Sequence, residues 1–304
     1  MIVCSHFCGQ LGNHLLTMIN LIQLTELLKV PLHYHSYYIQ KFFDVSLTNY
    51  KKLTHLKKTK MTIDSNKLVK RFDSMPNVSK KMLKKVSCHT NLIVHQPFLG
   101  ELFFRYAIIN SNQYIKLKAE FQYPLHHTNN AILVGIHIRD MGAWNKRHDG
   151  ISDLKPSYYR NAIQFCLEKQ SELYTDKKQK LFFVLIGATS NTQSTLGEKC
   201  DVSNYLPYQK TEIYLKDHCI PYDYGLTTNH PNLCFIYDWY QLSQCDVMIS
   251  SAGTFAISAG ILGKQNKKII HSKEWVEYAA GKYDTFWKDL YDGGNDTYSC
   301  WKFI

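Results

Sequence analysis

Along residues 15–28 the apolar positions Leu15, Leu16, Met18, Ile19, Ile22 and Leu27 recur near helical spacing, which predicts a helix. The stripe follows Gly9-Gln10-Leu11-Gly12-Asn13, where Gly9 and Gly12 permit a tight turn and Asn13 is placed to cap the helix. Because Ile2-Val3-Cys4 precedes that turn, the chain is expected to open as strand, glycine turn and helix. A second helical pattern covers 99–118, with Leu99, Leu102, Phe103, Tyr106 and Ile109 on one face. Residues 122–130, containing Pro124 and a polar run, read as a connection.

Beyond residue 130 the pattern changes to short β-rich runs alternating with helical ones. Strands are predicted at 132–138, 181–186, 233–236, 246–250 and 268–270, and helices at 156–168, 238–245 and 254–262. That alternation argues for a parallel sheet with crossover helices, a Rossmann-like unit. The expected organisation is a domain over 1–130 followed by one over 131–304, with no internal repeat.

Composition agrees with a folded chain: 304 residues, 45% hydrophobic, are enough for two compact domains or for one large α/β domain. No stretch of about 20 apolar residues occurs and the start lacks the pattern of a signal peptide, so no stable membrane insertion and a cytoplasmic location are expected. The nine cysteines form no C-x-x-C pair and sit mostly inside apolar runs, which reads as reduced core thiols. Most of the net charge of +11 comes from residues 51–85, where twelve Lys/Arg face only Asp64 and Asp73. This basic insertion either draws an anionic partner or forms a solvated face. It offers few aromatics for bases to stack on, so nucleic acid is not expected as a partner.

Ligands of parallel sheets bind beyond the carboxyl ends of the strands, and two such ends carry chemistry. His137-Ile138-Arg139-Asp140 closes the strand at 132–138; alternation puts His137 and Arg139 on one side, and a guanidinium there suits two phosphate oxygens. Ser250-Ser251-Ala252-Gly253-Thr254-Phe255 joins a strand to a helix start, where backbone N–H groups and the hydroxyls of Ser251 and Thr254 can meet an anion. If both ends belong to one sheet, they can share a pocket and neutralise a leaving diphosphate. The chain contains no D-x-D for holding a divalent ion against phosphates, so neither a metal site nor a cofactor is expected. Asp140, beside Arg139, is the first candidate for a general base, with Asp149 and Asp153 behind it.

Four stretches, in order, resemble the α1,2-fucosyltransferase family within the superfamily of GDP-fucose-dependent inverting transferases. Gly9-Gln10-Leu11-Gly12-Asn13 resembles a G-x-L-G-N opening, and Val134-Gly135-Ile136-His137-Ile138-Arg139 resembles V-x-I-H-x-R. Pro156-Ser157-Tyr158-Tyr159-Arg160-Asn161-Ala162-Ile163 resembles P-x-x-Y-Y-x-x-A-I, and the run from Asp238 through Ala259 resembles the closing motif with its G-T-F. The resemblance implies an α/β fold of the GT-B type, two Rossmann-like domains with parallel sheets flanking a cleft. It implies a nucleotide-sugar donor, GDP-fucose or another, and a glycan acceptor. It places His137 near the nucleotide, Arg139 on the diphosphate, Ser251, Gly253, Thr254 and Phe255 at the donor, and Gly9, Gly12, Asn13 and Asp238 along the cleft.

Two departures bear on the sugar. Asp140 stands where the family carries a second arginine, and Gly187-Ala188-Thr189-Ser190-Asn191 stands where relatives carry an acidic turn that helps recognise guanine. A transferase using another nucleotide-linked deoxysugar is therefore one alternative. A non-catalytic glycan- or nucleic-acid-binding protein using the basic segment is the other.

Overall fold

The computed structural model describes residues 2–4, 7, 11–28, 31–47, 60–64, 91–95, 111–123, 131–139, 154–170, 179–187, 192–193, 199–200, 205–230, 232–251, 253–264, 267–277 and 301–304. The chain divides into two compact units, one within Met1–Lys118 and one built on Ala119–Ala279 together with the C-terminal strand.

In the first unit, β1 (Ile2–Cys4), α1 (Leu11–Leu28), β2 (Leu32–Tyr34), α2 (Tyr37–Phe42), β3 (Phe43–Val45), β4 (Lys60–Asp64), β5 (Asn91–His95), α3 (Ser111–Tyr114) and β6 (Ile115–Leu117) follow one another. The order β2-β1-β5-β4 forms a parallel sheet, and β3 pairs antiparallel with β6. Helix α1 begins at Leu11, before the expected cap: Leu11 and Leu15, one turn apart, are both buried, and core packing carries the helix back so that Asn13 lies inside its first turn. The helix expected over 99–118 gives way at its described end, because Ile115–Leu117 finds backbone partners in Phe43–Val45. The remainder of that expectation, and most of the basic insertion, lie outside the described residues.

In the second unit come β7 (Ala131–Ile138), α4 (Pro156–Glu168), β8 (Lys180–Gly187), the short antiparallel pair β9 (Thr192–Gln193) and β10 (Lys199–Cys200), α5 (Leu206–Asp217), β11 (Tyr222–Tyr224), α6 (Leu226–Asn229), α7 (Ile236–Gln244), β12 (Val247–Ile249), α8 (Thr254–Leu262), β13 (Lys268–His271) and β14 (Trp301–Phe303). Six strands make one sheet in the order β11-β8-β7-β12-β13-β14, every neighbouring pair parallel. The chain starts at β7, walks outward through β8 to β11, returns to β12 and walks the other way. The order therefore reverses between β7 and β12, the doubly wound arrangement of nucleotide-binding sheets. The near-continuous apolar run of β7 is what a strand covered on both faces requires. Helix α4, opened by Pro156 in its first turn, buries Tyr158, Tyr159, Ala162, Ile163 and Cys166 against Ile132, Val134, Ile136 and Ile138.

The predicted strand at 233–236 is instead a turn running into α7. Phe235 has helical backbone angles and Ile236 is buried as the first residue of that helix; four apolar residues in a row do not by themselves distinguish the two states. Two strands of the sheet were not expected, both on its edges: β14 (Trp301–Phe303), and β11, three residues with the exposed Asp223 at its centre, too short and too polar to read as a strand. None of the described helices is long and apolar enough to cross a membrane. Among the described cysteines, Cys4, Cys166 and Cys245 are buried.

The hydroxyl of Tyr158, on the first turn of α4, is shared between the carbonyl oxygens of Ser250 (2.9 Å) and Ile270 (3.1 Å). It ties α4 to the carboxyl ends of β12 and β13. Tyr158→Phe leaves those carbonyls short of a buried donor and should lower stability by about 1–2 kcal/mol, measured by urea denaturation, with the fold retained. An unchanged midpoint would show that the hydroxyl is dispensable.

Candidate functional site

Both strand ends singled out by their chemistry flank the reversal of strand order. Ile136 on β7 is paired with Ile249 on β12, so the end of β7 at His137 to Arg139 and the end of β12 at Ser250 and Ser251 lie side by side. Crevices of doubly wound sheets lie at that point.

His137 is nearly covered. Its ring stacks on Phe255, centroids 5.1 Å apart, and its Nδ1 lies 2.5 Å from the hydroxyl of Ser251. Burial, and then the charge of Arg139, push the imidazole down to about 3, so the ring is neutral at physiological pH. Arg139, half-buried, carries the full positive charge of the site among the described residues.

Opposite the arginine, Gly253 occupies the N-cap of α8 with φ 114° and ψ 166°, a conformation essentially confined to glycine. A Cβ there would stand 2.5 Å from Nη1 of Arg139 and 3.6 Å from its Cζ. The guanidinium thus lies across the glycine at the start of a nine-residue helix. Bare backbone, a helix N-terminus and a fixed cation converge there, an arrangement suited to an anion with several oxygens. Thr254 and Phe255 open α8 and are partly exposed. Ser251, expected to offer its hydroxyl to the anion, is buried and engaged with His137.

Asp238 stands at the carboxyl edge of the same sheet: a Cβ on Gly225 would lie 3.1 Å from its Oδ1 and 3.3 Å from Ile186, the residue that pairs with His137. It sits in the first turn of α7, where one carboxylate oxygen accepts from the backbone N–H of Thr227 (2.9 Å) and the other accepts from the Thr227 hydroxyl. One turn on, Gln241 accepts from the N–H of Leu226 (2.9 Å). The two side chains close the start of α6, which follows β11. Burial raises the Asp238 carboxyl to about 6, against the pull of its bonds to Thr227. Gly12 and Asn13 lie within α1 of the first unit, buried and half-buried. Gly9, Asp140, Asp149 and Asp153 lie outside the described residues. Among the described residues no group of three or more His, Cys, Asp or Glu is placed to hold a metal ion.

The sequence reading missed Tyr158, Thr227 and Gln241 as supports of these turns. The tyrosine was visible within its motif; its partners, two carbonyls on strands remote in sequence, carry no side-chain signature.

No protein-family profile matches the chain, and no curated protein matches it in sequence. Solved structures do. POFUT1 in complex with GDP-fucose aligns over 89% of this chain and 96% of its own at 11% identity, TM-score 0.52. The two share a fold. NodZ α-1,6-fucosyltransferase co-crystallised with GDP aligns over 86% and 92% at 12% identity, TM-score 0.43. A mutant FUT1 of Arabidopsis thaliana in complex with GDP aligns over 89% and 69% at 10% identity, TM-score 0.48. The α/β fold of GT-B type expected from the sequence is thus the fold observed.

Gly253→Ala forces a side chain into a glycine-only conformation and against the guanidinium. We expect about 1–3 kcal/mol lost in stability, read by urea denaturation. An unchanged midpoint would show that neither the glycine-only conformation nor the close guanidinium constrains this position.

For Asp238 the sign is set by a folded-state value of about 6 against 3.8 for the free group: the native state binds more protons between these values. Its contribution is therefore greatest below about pH 4 and declines as pH rises to about 6. Asp238→Asn keeps an acceptor for the Thr227 N–H and removes the titration. Relative to wild type, the variant should gain stability between pH 4.5 and pH 7.5 in chemical denaturation, whereas an equal difference at both values would contradict a buried, shifted carboxyl.

Proposed function

We propose that the chain is an inverting glycosyltransferase that moves L-fucose from GDP-fucose to a glycan hydroxyl in α1,2 linkage, without a metal ion. The observation that carries this reading is Arg139 lying across Gly253 at the reversal of strand order. The match in fold to POFUT1, whose structure holds GDP-fucose, supports it from outside the site.

Breaking the bond between the sugar's anomeric carbon and the β-phosphate leaves an oxocarbenium-like centre and a charged diphosphate. Arg139 and the N–H groups at the start of α8 stabilise that diphosphate as charge develops, the role a metal ion plays in other transferases. His137, neutral and stacked on Phe255, contributes position without adding charge. The acceptor hydroxyl attacks from the face opposite the leaving group, which inverts the centre. A carboxylate takes its proton, with Asp140 the first candidate and Asp149 and Asp153 next.

Two departures in sequence favour a second reading in which the donor is another nucleotide-linked deoxysugar: Asp140 in place of a second arginine, and the non-acidic 187–191 turn. Thermal melting with GDP, UDP and dTDP separates the readings, because a ligand that binds only the native state raises Tm. A shift with GDP, together with hydrolysis of GDP-fucose that falls about 10²–10³-fold in Arg139→Ala, is the expected result. A shift confined to UDP or dTDP selects the second reading. A flat response to all three, with oligonucleotide binding that weakens steeply with salt, overturns the transferase.

A further inference from the structure

Ser251 was expected to present its hydroxyl to the ligand. It is instead buried at 1% exposure, with Oγ 2.5 Å from Nδ1 of His137. The His137 ring has little freedom: Phe255 covers one face at 5.1 Å, and the strand end fixes its Cα beside Ser250 and Ser251. In a neutral imidazole one nitrogen is a donor and the other an acceptor, so whichever role Ser251 imposes on Nδ1 determines the opposite role at Nε2.

A diphosphate offers acceptors only, and a histidine beside it is useful only if the nitrogen facing it carries the proton. We propose that Ser251 is a positioning residue whose hydroxyl donates to Nδ1 of His137, fixing the tautomer with its proton on Nε2, so that the imidazole offers a neutral N–H donor to the donor-nucleotide site. This assignment rests on the donor-site reading above for what Nε2 addresses, but not for the tautomer itself. Neutrality matters as well as direction. A second full charge beside Arg139 would repel the guanidinium that does the electrostatic work, and the depressed basicity of the buried ring avoids it. Ser251 thus acts on the ligand through His137 rather than by touching it, which accounts for a polar side chain buried at a site where an exposed hydroxyl was anticipated.

The test is ¹⁵N NMR of the ligand-free, histidine-labelled protein, with His137 identified by its loss in His137→Gln. The expected spectrum at pH 7 has a pyridine-type Nδ1 and a protonated Nε2. In Ser251→Ala that single-tautomer pattern should be lost and GDP affinity should fall about ten-fold, the effect of one misdirected hydrogen bond, while Ser251→Thr, which keeps the hydroxyl, should restore both. A proton on Nδ1 in the wild type, a charged ring at pH 7, or an unchanged spectrum and affinity in Ser251→Ala would each overturn the assignment. Should wild type show the expected tautomer yet bind no nucleotide, the donor-site reading fails while the assignment of Ser251 and His137 stands.

Discussion

The parallel pairing of β7 with β12, Val134 beside Val247 through Ile136 beside Ile249, is the constraint on which the rest of the site depends. These strands are remote in sequence, and only their adjacency brings Arg139 over Gly253. A slip of one residue would exchange the two faces of β7, taking His137 from beside Ser251 and Phe255 and setting Ile138 in its place. The register is pinned at the far end by Asp246: one carboxylate oxygen accepts from the N–H of Leu133 at 2.9 Å, and the other pairs with Lys264, just beyond α8. A side chain at the amino ends of the strands thereby governs alignment at the carboxyl ends.

Electrostatics distinguishes two helix starts in the second unit. That of α6 is closed by the protein's own Asp238 and Gln241, so its backbone donors are spent and a negative charge already stands before it. That of α8 has the guanidinium of Arg139 before it instead. An incoming anion is repelled from the first and drawn to the second. The buried carboxylate and the half-buried arginine therefore act in the same direction along one edge of the sheet.

Much of this was legible in the sequence where the pattern was long and apolar. β7, β8, β12, β13, α4 and α8 fall where period and punctuation put them, since strands covered on both faces must be apolar throughout and α4 must show a stripe. The pair of strand ends was legible too, because the chemistry of Arg139 and the Ser-Gly-Thr turn is local. What was not legible depends on partners chosen by tertiary structure. β11 is three residues on a sheet edge and takes its conformation from β8; Ile115–Leu117 takes its own from β3. Leu233 to Ile236 is apolar because it leads into a buried helix, not because it pairs. Ser251 was recognised as belonging to the site, but its hydroxyl could not be assigned to His137 without knowing that β7 and β12 are neighbours.

The shared hydroxyl of Tyr158 has a bearing on motion. By joining the carbonyls of Ser250 and Ile270 to the first turn of α4, it makes the residues just beyond β12 a part of the buried layer. Local opening of such a segment requires breaking contacts on two strands and a helix together, so its free energy of opening approaches that of global unfolding. The end of β12 at Ser250 and Ser251 is consequently a fixed wall, and any rearrangement on ligand binding falls to other parts of the chain.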